Sequence, residues 1–247
     1  MMKKITVAAV FVGIAVIGGA AWAADNGGWL SGWFDSAKAA VSKPAAAAKP
    51  AAAAQPVANV GNVLEIQPGD RVMGSMMAPV TMIEYASMTC SHCADFTLKT
   101  MPQVKKDWVA TGKVKYVLRD LAWDDMAVGI TKVARCAPAQ QYYGIVEAFF
   151  KNQMNIVTSN DPLGQIKSVA AGFGMDGAKV EACVKDADLH ERVAASKKTA
   201  TETLGIRGTP TTFVNGVKID GAAPYEEVKP ILEAAYAKAT GTAAPAK

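Results

Sequence analysis

Thr89-Cys90-Ser91-His92-Cys93-Ala94-Asp95-Phe96 follows almost directly on the apolar run Val80-Thr81-Met82-Ile83-Glu84-Tyr85. The run reads as a strand covered on both faces, and it delivers a C-x-x-C onto the start of a helix. A helix beginning at Ser91 puts Cys90 at its N-cap, where free backbone N–H groups and the positive end of the dipole favour a thiolate over a thiol. Cys93, one turn further in, points back to the same spot and is less accessible, so the pair has an attacking and a resolving sulfur. His92 between them adds a further group that stabilises an anion. Holding the reduced form in this way makes the disulfide an oxidant.

A C-x-x-C can also be half of a zinc site. Zinc wants four ligands, and the chain's other histidine, His190, lies remote in a charged, solvated run. No metal site and no cofactor are expected. A copper-binding reading would recruit Met88 beside Cys90 and Cys93 as a soft sulfur donor.

The chain has 247 residues and a net charge of +4. Removing Lys3 and Lys4 leaves about +2, too little to point to nucleic acid. Met1-Met2-Lys3-Lys4, the apolar stretch from Ile5 to Ile17 and Ala21-Trp22-Ala23 have the layout of an export signal. Residues 1–23 are therefore a cleaved signal peptide or, extended to Ala23, a retained membrane anchor. Trp22, Trp29, Trp33 and Phe34 cluster just beyond, as an interfacial belt would.

Residues 24–62 read as a linker. A short amphipathic helix is possible from Ser31 to Val41, and the Ala/Pro repeat from Lys43 to Asn59 offers no core-forming side chains. About forty such residues, extended, reach on the order of 120 Å. The expected location is the periplasm, either soluble or tethered to the inner membrane. Outside the cytosol four cysteines can pair completely, and of three connectivities Cys90–Cys93 with Cys136–Cys183 is favoured over two inert core thiols.

The folded domain is expected over 63–239. Val63 to Ile66 reads as a short strand, and Ser91 to Ala110 as a helix bent at Pro102. Lys113 to Arg119 is a second strand, from which Lys115 could reach Glu84. Glu84 itself is a carboxylate at a strand end or a buried acid that exchanges a proton with Cys93. Residues from about 122 to 204 are helical, broken at Pro138, Thr158–Pro162 and Gly172–Asp176. Gly208-Thr209-Pro210 then leads into Thr211 to Val214, Asn215-Gly216 and Val217 to Ile219, a hairpin signal. A last helix runs from Pro224 to about Lys238, and 240–247 is a tail.

A βα unit with C-x-x-C, a second strand, and Thr-Pro before a hairpin and terminal helix is similar to the thioredoxin fold. With an all-helical insertion it resembles the DsbA family of exported disulfide oxidoreductases over residues 63–239. Glu84 stands six residues before Cys90, where that family carries a buried acid. Cys90-Ser91-His92-Cys93 matches its Cys-Pro-His-Cys except at Ser91, and Thr209-Pro210 matches its cis-proline loop. The resemblance implies an α/β enzyme in which Pro210 is cis and faces the sulfurs. Backbone near Thr209 would bind an extended client segment. It further implies reduced secreted proteins as substrates and a membrane reoxidant resembling DsbB. Cys136 and Cys183 resemble the second bridge of a subgroup. Thr before the proline is similar to isomerases and reductases, so that direction of electron flow stays open.

Overall fold

The computed structural model describes residues 55–56 and 61–242. The expected leader, the Ser31–Val41 segment, most of the linker and the last five residues lie outside the described residues. Six strands form one sheet in the order β1-β6-β5-β3-β4-β2. They are β1 (Gln55–Pro56), β2 (Val72–Met73), β3 (Val80–Ala86), β4 (Val114–Asp120), β5 (Thr211–Val214) and β6 (Val217–Asp220). Only β3 and β4 are parallel, which is why a helix must connect them, and every other pairing is antiparallel.

Strand periodicity sorts β3 and β4 between two cores. Val80, Met82 and Ala86 face one side with Val114, Tyr116 and Leu118, under the helices. Ile83 and Tyr85 face the other with Val117, Leu121, Leu204, Ile206 and Phe213. Glu84 has the parity of Met82 and Ala86, so it is buried on the helical side with 0% exposure.

The helix after β3 starts as α1 (Ser91–Asp95) and continues through a π turn (Phe96–Thr100), α2 (Met101–Val104) and a second π turn (Lys105–Val109). The first wide turn, in which Met101 N–H reaches the Phe96 carbonyl, immediately precedes Pro102. A proline there lacks an N–H and crowds the carbonyl four residues back, so the bend takes the form of a π turn. The insertion comprises α3 (Asp125–Cys136), α4 (Tyr142–Lys151), α5 (Gln153–Val157), α6 (Pro162–Ala171), α7 (Gly177–Lys185) and α8 (Ala187–Lys198). Asp124, Asp161, Asp176 and Asp186 each cap a helix through a side-chain oxygen, which is how the sequence divides this block. Cys136 and Cys183 are bridged, tying the end of α3 to α7 with a Cα–Cα separation of 6.1 Å. The terminal helix α9 (Tyr225–Thr240) stops at Gly241, whose φ of 69° closes the C-terminus. In the β5–β6 hairpin Asn215 (φ 44°) and Gly216 (φ 85°) make the two-residue left-handed turn that Asn-Gly predicts.

Two expectations are corrected. Gln55–Pro56, assigned to the linker, pairs with β6 at the sheet edge, a place where proline's missing N–H is tolerated. Val63 to Ile66 is not a strand, because Gly61–Leu64 is a 3-10 turn. The cause is Arg119, which is 6% exposed and spends its donors on the carbonyls of Val63 and Glu65, the Tyr85 hydroxyl, and both carboxylate oxygens of Asp70. The segment curls around this guanidinium, while Val63, Leu64 and Ile66 pack on the second core. Arg119→Met should destabilise the protein by about 3–5 kcal/mol, because Asp70 is left buried without its counter-ion. The measurement is the urea midpoint, and adding Asp70→Asn should recover part of the loss.

Candidate active site

Strand β3 ends at Ala86, and the turn Ser87–Cys90 hands the chain to α1. Cys90 is the N-cap, in an extended conformation (φ −82°, ψ 118°). Its N–H reaches the Ser87 carbonyl at 3.1 Å, and its own carbonyl accepts from the N–H groups of Cys93 and Ala94 at 3.1 and 3.2 Å. Cys90 is half-buried and Cys93 fully buried, both as free thiols. The Thr209–Pro210 peptide is cis, and the Cys90 sulfur lies 3.3 Å from the Thr209 carbonyl, so the β5 loop closes over the attacking sulfur.

The two sulfurs are driven apart electrostatically. Cys90 is pushed down to about 5, chiefly by the S–H of Cys93. Burial opposes this, while the Thr209 side chain and the N–H groups of Cys93 and His92 add to it. Cys93 is pushed well above the ordinary thiol range by burial first, then by its bond to Cys90 and the charges of Cys90 and Glu84. The helix N-terminus therefore contributes as expected, but the larger effect comes from the partner thiol. His92 acts on the sulfur through its backbone N–H; no hydrogen bond of its imidazole is found among the described residues.

Glu84 is buried close enough for its charge to act on Cys93. Its Oε2 accepts the Tyr116 hydroxyl hydrogen at 2.5 Å, and its Oε1 has no partner among the described residues. Burial pushes this carboxyl up to about 7. The Tyr116 hydrogen bond pulls it down, the Cys90 charge pushes it up, and Lys105 pulls it down again. Lys115 does not reach it. Paired with Thr81 on the opposite parity, Lys115 donates instead to the Ala78 carbonyl at 2.6 Å. Tyr116, registered with Met82, has the parity that faces Glu84. Counting parity from Glu84 across a parallel pair would have found it.

The helical insertion contributes residues that a linear reading passes over. Asp124, the N-cap of α3, accepts the Thr89 hydroxyl at 2.6 Å. Trp123, 40% exposed, donates its indole N–H to the Thr209 hydroxyl at 3.2 Å. Gln153 donates to the carbonyls of Met88 and Cys90. Exposed Met154 follows it. Met88 belongs to the buried core, which removes it as an accessible third sulfur for copper. Among the described residues no group of three or more His, Cys, Asp or Glu is placed to hold a metal.

Residues 67–234 match a family model described as thioredoxin. A provisionally named protein-disulfide oxidoreductase of Rickettsia bellii is 26% identical over 157 residues, covering 63% of this chain and 61% of that relative. Disulfide bond formation protein D of Bacillus subtilis is 24% identical over 67% of this chain and 76% of its own length. Among solved structures, alpha-DsbA1 of Wolbachia pipientis superposes with a TM-score of 0.67 at 25% identity, over 71% of this chain and 95% of that one.

The Glu84 shift carries a sign. Between pH 4.5 and about 7 the folded protein holds a proton that the unfolded chain has lost, so stability falls as pH rises through this window. Glu84→Gln abolishes that dependence. Its stability relative to the parent should improve across the window by up to about 3 kcal/mol and stay flat above it, as read from urea unfolding at pH 4 to 8.5.

Proposed function

Because the chain belongs to the thioredoxin family, with a DsbA-like architecture, we propose that it is an exported thiol:disulfide oxidase that donates the Cys90–Cys93 disulfide to reduced secreted proteins. The observation that carries this reading is the asymmetry of the two sulfurs, one pushed down to about 5 and the other pushed up. A client thiolate attacks Cys90 of the oxidised pair, and the Cys90–Cys93 bond breaks. Cys93, which holds a proton readily, leaves as a thiol with its proton drawn from Glu84, whose pKa of about 7 suits exchange near neutral pH. A second client thiolate then attacks the client sulfur of the mixed disulfide, and Cys90 departs as its stabilised thiolate. Two electrons pass from the client dithiol to the pair, and the client gains a disulfide.

Thr209 and cis-Pro210 flank the attacked sulfur, so an extended client segment pairing with this backbone would lay its own sulfur against Cys90. Trp123, partly exposed and bonded to Thr209, offers an apolar ring beside this backbone. The turnover cycle requires an acceptor for the two electrons, for which a membrane quinone-linked protein of the DsbB kind is the natural class. The N-terminal leader supports a periplasmic site of action, soluble or tethered. Thr209 ahead of the proline keeps an isomerase or reductase as the second reading. It uses the same residues and is separated by a low, reducing potential and by activity on scrambled rather than reduced substrates.

The oxidised protein should accelerate oxidative refolding of a reduced client several-fold over glutathione disulfide alone, and Cys90→Ser should abolish this. Undiminished activity in that variant removes Cys90 from the mechanism, and a potential as reducing as thioredoxin's replaces the oxidase by the second reading.

A further inference from the structure

Gln153 is a neutral amide that is only 3% exposed, in the first position of the short helix α5, 63 residues from Cys90 in sequence. Burying an amide is unfavourable unless its hydrogens are used, and methionine or leucine would fill the same volume without that cost. Both hydrogens are used. Nε2 lies 2.9 Å from the Met88 carbonyl and 3.0 Å from the Cys90 carbonyl, the two acceptors either side of Thr89. Thr89 is itself tied to Asp124 at 2.6 Å, so the insertion grips the Ser87–Cys90 turn at three successive residues.

What this grip governs is the orientation of one peptide. The Cys90 carbonyl already accepts the N–H groups of Cys93 and Ala94, and the Gln153 amide is its third donor. The same first turn aims the His92 and Cys93 N–H groups at the Cys90 sulfur. The helix holds this N-cap residue at its carbonyl alone, since its own φ and ψ are non-helical and the turn before it lies outside the helical ladder. The rest of the turn needs support from elsewhere in the fold, and among the described residues Gln153 is the side chain that reaches the Met88 and Cys90 carbonyls from another element.

We propose that Gln153 is a positioning residue for the attacking cysteine: by donating both amide hydrogens to the Met88 and Cys90 carbonyls, it fixes the N-cap turn so that the first-turn N–H groups converge on the Cys90 sulfur. The helical insertion thereby sets the reactivity of a thiol that belongs to the thioredoxin core. This deepens the oxidoreductase reading above and rests on it only for its consequence in catalysis, because the property affected, ionisation of Cys90, is measured without a client.

Gln153→Met keeps length and volume and deletes both donors. In the reduced protein, thiolate absorbance at 240 nm followed against pH should show the Cys90 midpoint moved up from about 5 by on the order of one unit. The equilibrium with glutathione should shift about tenfold toward the disulfide form, equivalent to about 30 mV. Gln153→Glu, which places a carboxylate against two carbonyl oxygens, should move the midpoint in the same direction and serves if the methionine variant does not fold. A purely structural role gives a different pattern, namely a lowered melting temperature with an unchanged midpoint, and that result in either folded variant overturns the proposal. Cys90→Ser identifies the signal: a midpoint that persists in its absence belongs to another group and likewise overturns the assignment. Loss of the oxidase reading through a failed refolding assay leaves the midpoint test untouched.

Discussion

An anion at the surface end of a helix, backed by a thiol that cannot leave the core, is the constraint on which the rest of this structure depends. Cys90 and Cys93 are one turn apart, yet burial puts them in opposite electrostatic regimes. Cys90 sits where N–H groups are unspent, and Cys93 sits fully buried in the main core, the cluster that also holds Phe96, Met126 and Phe149. Each sulfur amplifies the other, since the protonated thiol of Cys93 donates to the thiolate of Cys90 and the charge on Cys90 discourages a second ionisation. Because the two titrations are coupled, the shifts belong to the pair.

Such a pair needs a proton reservoir inside an apolar core, and the sheet supplies one by parity. Glu84 is on the face of β3 that the α1 helix covers, and Tyr116 on the adjacent parallel strand shares that face. The tyrosine hydrogen bond opposes burial, which leaves the carboxyl in a range where both protonation states are accessible near neutral pH. The opposite face handles charge differently. Arg119 is satisfied by five acceptors, and there the arginine is a fastener for the N-terminal segment. Two buried ionisable groups, one residue pair apart on neighbouring strands, thus serve different ends because one keeps an oxygen without a partner among the described residues and the other is fully paired.

The helical insertion is more than an addition to a thioredoxin core. Trp123 meets the cis-proline loop, Asp124 holds Thr89, and Gln153 holds the carbonyls that flank it. Its internal order is reinforced by the Cys136–Cys183 bridge, which in the chain-entropy picture restricts the unfolded chain by about 4 kcal/mol for a loop of 47-residue separation. Lys132, buried one turn before Cys136, donates to the Val184 carbonyl at 2.6 Å, so the same two helices are also joined by a cation at a helix C-terminus.

Local chemistry was legible in the sequence. The C-x-x-C at a strand-to-helix junction, Thr-Pro before a hairpin and Asn-Gly as its turn each act on their immediate neighbours, so spacing alone identifies them. The parity of Glu84 was legible too, because side chains alternate whatever the strand pairs with. The strand expected at Val63 failed for the complementary reason, since its backbone conformation is imposed by Arg119, more than fifty residues away. Gln153 and Asp124 were invisible on the same grounds: their roles consist in which carbonyl or hydroxyl they meet, and those partners lie 63 and 35 residues distant. The chain by itself determined where a reactive sulfur would stand and what kind of fold would present it. Only tertiary packing decided how that sulfur is held and protonated, because burial and long-range hydrogen bonds come into being when distant segments meet.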